Sequence, residues 1–203
     1  MRVRTHTNPF NYYHRLEKIV LADIFKNTKC SLDLEIGFGR GVFLRNYAQL
    51  NPERNIIGVE IRKVVVEILQ KKIAAGDLHN VFLVHGNGEI FLEDALEDNA
   101  VDRVFIFHPD PWFKKRHYKR RVINEKFLET CVRKMKNGAK LYLSTDVAEL
   151  WEYMEDFLKK HPSFSLVQDD VFWQTYYQTH WQDFSQKDHR SCFLGVFQLS
   201  KNS

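Results

Sequence analysis

The stretch "SLDLEIGFGRG", residues 31–41, decides how the chain folds. Ser31 to Ile36 is short, apolar and punctuated by isolated acids, and it runs directly into three glycines on alternate positions, Gly37, Gly39 and Gly41. Glycines at the end of a strand allow a tight turn and a close approach of backbone to a ligand at the start of a helix. A second strand is expected over "NIIGVEI" (55–61), and others over 80–84, 101–107 and 140–145. Segments of helical period lie between them, at 40–50, 62–75, 88–96, 124–136 and 147–160. Short apolar strands that alternate with amphipathic helices imply an α/β, doubly wound, mostly parallel sheet covered on both faces. In the helix over 62–75, the face is expected to carry Val65, Ile68, Leu69, Lys72 and Ile73.

Outside that alternation the pattern changes at both ends. Residues 11–27 place Leu16, Ile19, Val20 and Ile24 at helical spacing, so an N-terminal helical extension is expected over 1–29, before a core at 30–160. Beyond it, "SFSLVQ" (163–168) and "CFLGVFQLS" (192–200) predict an antiparallel edge within a C-terminal part, 161–203, with 172–190 as a long loop between them. No Pro/Gly/Ser-rich linker divides the 203 residues, which predicts one domain. Sixteen phenylalanines predict a core rich in rings.

Charge is concentrated rather than spread. Positions 114–121, "KKRHYKRR", hold six Lys and Arg and no acid, while the chain's formal net charge is only +4, so the remainder is slightly acidic. A single basic block in such a chain suits a phosphate backbone. Cys30, Cys131 and Cys192 are odd in number, widely spaced and without a CxxC, which argues for reduced thiols and against a zinc site or disulfide framework. No apolar run approaches a membrane span, and a cytoplasmic protein without metal or membrane, monomeric or homodimeric, is expected.

The glycine turn has G-x-G-x-G spacing, with Val42 where a dinucleotide fold carries its third glycine. Glu60 ends the second strand, at the offset where an acid accepts from a ribose diol, and Glu35 adds a carboxylate before the turn. Such a pocket repels a pyrophosphate and attracts a sulfonium, which favours S-adenosylmethionine over a nicotinamide cofactor. Asn87 follows the third strand, where its amide suits an adenine edge or a polar turn. "FHPDPW" (107–112) leads from a buried strand into Asp110 between two prolines, each of which fixes φ, at the rim where this fold class binds ligands. Trp112 is available for stacking on a base or the cofactor.

Taken in order, "LEIGFGRG" (34–41), "IGVEI" (57–61), "FHPDPWFKKRHYKRR" (107–121) and "STD" (144–146) resemble the bacterial tRNA (guanine-N7-)-methyltransferases over roughly residues 30–190. The resemblance implies a class I, Rossmann-like methyltransferase with a seven-stranded sheet, which moves a methyl group from S-adenosylmethionine to a variable-loop guanine of tRNA. It implies cofactor contacts from Glu35, Glu60, Asn87 and Asp110, with Asp110 as the catalytic residue. Lys114 and Asp146 are implied to meet the substrate, and Arg116, His117, Lys119, Arg120 and Arg121 to meet RNA. The family's C-terminal Thr-x-Phe/Tyr-Glu falls here on Gln182, Phe184 and Ser185, in the implied substrate pocket, followed by Lys187 and Arg190; the family's acid at 87 is Asn87. A non-catalytic RNA-binding protein on the same fold, or a methyltransferase of altered specificity, is the alternative that Gln182 and Ser185 raise.

Overall fold

The structure, a computed structural model, describes residues 7–12, 14–76, 78–188 and 190–201, without the side chains of residues 183, 184, 186 and 187. Seven strands form one sheet: β1 (Ser31–Ile36), β2 (Arg54–Glu60), β3 (Val81–His85), β4 (Val101–Phe107), β5 (Met135–Thr145), β6 (Phe164–Val167) and β7 (Phe193–Leu199). Their order is β3-β2-β1-β4-β5-β7-β6. The first five are parallel, and β7 inserts antiparallel between β5 and β6, pairing Tyr142 with Val196 and Leu166 with Phe197. Strand β1 is paired on one side with β2 and on the other with β4, so the order reverses at β1 and a crevice opens beyond its carboxyl end.

Among the described residues, eight helices connect the strands: α1 (Leu21–Ile24), α2 (Val42–Leu50), α3 (Lys63–Ala75), α4 (Gly88–Ile90), α5 (Glu125–Lys134), α6 (Ala148–Lys160), α7 (Asp170–Thr175) and α8 (His180–Lys187). A π-turn, Phe91–Ala95, continues α4, and 3-10 turns cover Pro9–Tyr12 and Lys115–Arg120. Alternate residues of each strand face opposite layers: on β4, Val104 and Ile106 enter one core, Phe105 and Phe107 the other. The second core is largely aromatic, with Phe43, Tyr47, Phe105, Tyr142 and Phe172 packed ring against ring; the Phe105 and Phe172 rings stack at 5.4 Å. Within this layer Asp33 is buried in the middle of β1, where Arg54 closes a bidentate pair on it at 2.6 and 2.7 Å and Tyr47 donates at 2.7 Å.

Four expectations are corrected by the structure. The helix expected over 11–27 is not formed among the described residues: they carry no regular structure from residue 14 to α1, a single turn, and Leu16 and Val20 stay exposed. Its backbone is held from outside instead, Leu16 N–H donating to Asp94 and Ile19 N–H to the Ala95 carbonyl, and those bonds across the surface replace intrahelical ones. On α3 the inward face is Val66, Leu69 and Ile73, and Ile68 is exposed, because the helix presents a narrower stripe to the sheet than the row of apolar side chains suggested. Residues 172–190 are no open loop but hold most of α7 and α8. Phe172 and Tyr177 anchor that segment in the aromatic core. The prolonged β5, starting at Met135, also takes in residues that the sequence assigned to the preceding helix.

Candidate active site

Each of the first five strands delivers a polar residue to the same end of the sheet: Glu35 and the glycine turn from β1, Glu60 from β2, Asn87 after β3, His108 and Asp110 after β4, and Asp146 after β5. The glycine turn, Glu35, Glu60, Phe107 to Asp110, and the start of α8 enclose a cavity of about 540 Å³. A smaller one of about 120 Å³ adjoins it, sharing Gly37, Glu60 and Asp110 and adding Asn87, Glu89, Trp112 and Arg120. Together their volumes fall in the range of small-molecule sites.

The turn requires its glycines. Gly37, Gly39 and Gly41 all lie at positive φ. A Cβ on Gly41 would stand 2.3 Å from the Leu69 side chain, so that position sets how closely the turn packs on α3. A Cβ on Gly37 would meet nothing within 4 Å, which leaves the backbone there facing open space. Beneath the turn, Glu35 is fully buried, and its Oε2 has no hydrogen-bond partner among the described residues. Burial first, and the Glu60 charge second, push its carboxyl well above the usual range. An unsatisfied acid that lines a cavity favours a cationic or hydrogen-bond-donating ligand.

Glu60 is occupied by the protein itself. Its Oε1 accepts from Arg62 N–H and Nε, at 3.1 and 3.0 Å. Its Oε2 accepts from Gly39 N–H at 3.0 Å and Arg62 Nη2 at 2.9 Å. Four donors fill the four acceptor sites of a carboxylate. The Asp110 charge, after the bonds to Glu60, also favours the protonated Arg62 guanidinium. Arg62 itself was missed, although its place two residues after Glu60 was visible. Asn87 caps α4, its Oδ1 accepting from Glu89 N–H at 2.9 Å, while its Nδ2 donates to the Pro9 carbonyl at 3.3 Å. Near it, burial raises the Glu89 carboxyl to about 7.

Asp110 lines both cavities, between His108 and Trp112, which both lie at positive φ. The basic block that follows divides in two. Lys114, Arg116 and Lys119 are exposed and His117 half-buried; Arg120 reaches back over the Trp112 ring at 4.9 Å and lines the smaller cavity. Trp112 is thereby buried, packed against Arg120 and, edge-on, His117 at 5.9 Å, rather than presented as an open stacking surface. Arg121 corrects its expected role in RNA contact. It is buried, with Nε donating to the Pro111 carbonyl at 2.9 Å, Nη2 paired to Glu149 at 2.9 Å, and its guanidinium 3.7 Å from the Tyr118 ring. It fastens the Pro-Asp-Pro turn to the body of the protein.

Asp146 gathers the C-terminal part of the site. Its Oδ2 accepts from Trp181 Nε1 at 3.1 Å, Ser185 Oγ at 3.1 Å and Arg190 Nη1 at 2.7 Å, and His108 Nδ1 lies 3.5 Å from its Oδ1. Helix α8 starts with a reciprocal cap: Gln182 N–H donates to Thr179 Oγ1 at 2.9 Å, and Thr179 N–H to Gln182 Oε1 at 3.3 Å. Gln182 and Ser185 therefore have structural tasks. The Thr-x-x-Gln signal at 179–182 was present in the sequence and was not used. The expectation for Phe184, like that for Lys187, lies outside the described residues.

Residues 29–195 match a family model described as a putative methyltransferase. The tRNA (guanine-N(7)-)-methyltransferase of Prochlorococcus marinus (strain MIT 9215) is 34% identical over 176 residues, 84% of each chain. This chain belongs to that family. Its namesake from Nitrosococcus oceani is 37% identical over 150 residues, 74% of this chain and 63% of its own. Among solved structures, the 16S rRNA methyltransferase KamB superposes with a TM-score of 0.62 at 15% identity, covering 89% of this chain and 91% of its own. The aminoglycoside resistance methyltransferase NpmB1 gives 0.60 at 19%, covering 83% and 87%. At those identities the superpositions establish the methyltransferase fold of this family member.

Proposed function

We propose that the chain transfers a methyl group from S-adenosylmethionine to N7 of a variable-loop guanine in tRNA, with Asp110 as the catalytic residue. One observation carries this reading: Asp110 lines the same cavity as the glycine turn, Glu35 and Glu60, and an exposed basic turn begins four residues beyond it. The residues present fit the cofactor. Glu35 offers an unsatisfied buried acid, the glycine turn offers open backbone, and the two adjoining cavities have volumes suited to a small-molecule ligand.

When bound, S-adenosylmethionine supplies a methyl group activated by a sulfonium charge. Gly37 and Gly39 admit the ligand close to the backbone, and Glu35 balances its positive charge in a site of low polarity. Glu60 is the acceptor for a ribose diol, which requires Arg62 to yield some of its hydrogen bonds. Asn87 and Glu89 border the smaller cavity, where an adenine would lie. Guanine N7 has an in-plane lone pair and no proton, so no general base is needed; the work is orientation and desolvation. Asp110 holds the purine through its N1 and N2 donors and offsets the positive charge that the ring acquires. Lys114, Arg116 and Lys119 hold the phosphate backbone, with His117 and Arg120 beside them.

None of the described helices is long and apolar enough to cross a membrane, and the described residues hold no group of three or more His, Cys, Asp and Glu placed to bind a metal ion. We place the protein in the cytoplasm with tRNA as its partner, as a monomer or homodimer. The test is to incubate it with methyl-labelled S-adenosylmethionine and bulk tRNA and digest the product. Label in N7-methylguanosine from the variable loop is expected; label in another nucleoside, or none, overturns the reading.

A further inference from the structure

The cavity has a wall that none of the roles above uses. It is formed by Thr179, His180 and Trp181, at the start of α8. Trp181 is the largest side chain of that wall, and its ring centroid is 6.5 Å from that of His108, which lines the same cavity as Phe107 and Asp110. Its orientation is set by the protein. The indole Nε1 donates to Asp146 Oδ2 at 3.1 Å, and the same carboxylate oxygen holds Ser185 from the next turn of α8 and Arg190 beyond it. The reciprocal cap between Thr179 and Gln182 fixes the start of the helix on either side of Trp181. The Arg190 guanidinium lies 6.0 Å from its ring, and the His108 ring 6.5 Å away.

A purine that presents N7 in line with a sulfonium methyl group needs its plane fixed as well as its edge. Asp110 acts on the edge; a flat, immobile ring is what fixes a plane. We infer that Trp181 is the stacking platform for the target guanine, held ready by Asp146. This rests on the proposed reaction and adds a residue to it. Asp146 then serves the substrate through Trp181: its Oδ2 is spent on three protein donors, so its part is to hold the platform still. The platform also favours a purine over a pyrimidine, because overlap with the indole grows with ring area.

The inference separates two properties of Trp181, the ring and the N–H donor, and substitutions separate them too. Trp181→Phe and Trp181→Tyr keep an aromatic face and lose the indole N–H; Trp181→Gln keeps a donor for Asp146 and loses the ring. Steady-state methylation of tRNA is measured for each, alongside the melting temperature and the affinity for S-adenosylhomocysteine. The aromatic variants are expected within about five-fold of wild type in kcat/KM for tRNA, and the Gln variant about 5- to 150-fold lower, the range for removal of one base–aromatic stack. S-adenosylhomocysteine affinity stays unchanged throughout. Where Trp181→Gln fails to fold, Trp181→Leu takes its place. Equal losses, or a Gln variant more active than the aromatic ones, overturn the inference and leave Trp181 as an anchor of α8. Wild-type protein assayed in parallel for N7-methylguanosine keeps the two failures apart: no product there refutes the reaction, whereas product with the wrong ranking refutes only the platform.

Discussion

Replacing Arg121 with Met removes the one cation of the basic block that the fold has taken inside. The guanidinium is about 2% exposed and makes a hydrogen bond to the Pro111 carbonyl, a pair with Glu149 and a face-on contact with Tyr118. Glu149 is half-exposed and recovers water when its partner goes, so that pair adds little. The charged hydrogen bond to a buried carbonyl is worth about 1.5–3 kcal/mol and a desolvated cation–π contact about 2. Met restores part of the packing, which leaves a loss of about 3–4 kcal/mol, or on the order of 10 °C in melting temperature for a domain of this size. The Pro111 carbonyl is next to Asp110, so kcat should fall with stability, even at temperatures where the variant is fully folded. Lys114→Ala, Arg116→Ala and Lys119→Ala should leave the melting temperature within about 1–2 °C. Each should reduce the slope of log K for tRNA against log salt by about 0.7–0.9 for every phosphate it no longer neutralises. Scanning calorimetry and salt-titrated binding decide the matter. If Arg121→Met melts like wild type but flattens the salt slope, Arg121 belongs to the RNA interface and the block is not divided as described.

Three further outcomes follow from the site. Asp110→Ala should abolish turnover while S-adenosylhomocysteine and tRNA bind within a few-fold of wild type by calorimetry and filter binding; substantial residual turnover removes Asp110 from the reaction. Burial raises the Glu35 carboxyl, and a cation beside it favours its ionised form, so binding S-adenosylmethionine should release a proton. Its affinity should therefore rise with pH, and Glu35→Gln should flatten that rise; calorimetry in buffers of different ionisation enthalpy reads both. Glu89 has a carboxyl raised to about 7 against 4.5 in the open chain, so the folded state binds the extra proton between those values and loses stability as pH rises through them. Asn124 hydrogen-bonds the Glu89 side chain; Glu89→Gln keeps that acceptor and should be more stable than wild type by on the order of 2–3 kcal/mol above pH 8, with no difference below pH 4. A pH-independent difference in melting temperature would remove Glu89 as its source.

The sheet was legible because its strands are short, apolar and closed by turn residues; the glycine turn, Glu60 and Asp110 follow from where each strand ends. Residues 11–27 misled because apolar spacing reports which residues seek cover, and here Ile19 finds it by lying across the π-turn rather than by coiling. Arg121 was read with its neighbours because charge runs carry no record of direction; only the 3-10 turn over Lys115–Arg120, which ends by sending residue 121 inward, separates it from Lys119. His108 and Trp181 stayed unseen for a related reason: each meets Asp146, far from it in sequence, and for Trp181 the partner is 35 residues away. Arg62, two residues after Glu60, was within reach of the sequence and was overlooked.

The central claim is spatial: a purine lies between the glycine turn and the wall formed by α8, with N7 toward the cofactor's sulfur. A structure with S-adenosylhomocysteine and tRNA tests it most directly. The account predicts the target guanine within contact of Asp110, N7 about 5 Å from the sulfur, which leaves room for the missing methyl group between them, and phosphates on Lys114, Arg116 and Lys119. A guanine seated elsewhere, or phosphates on a face remote from Asp110, contradicts it.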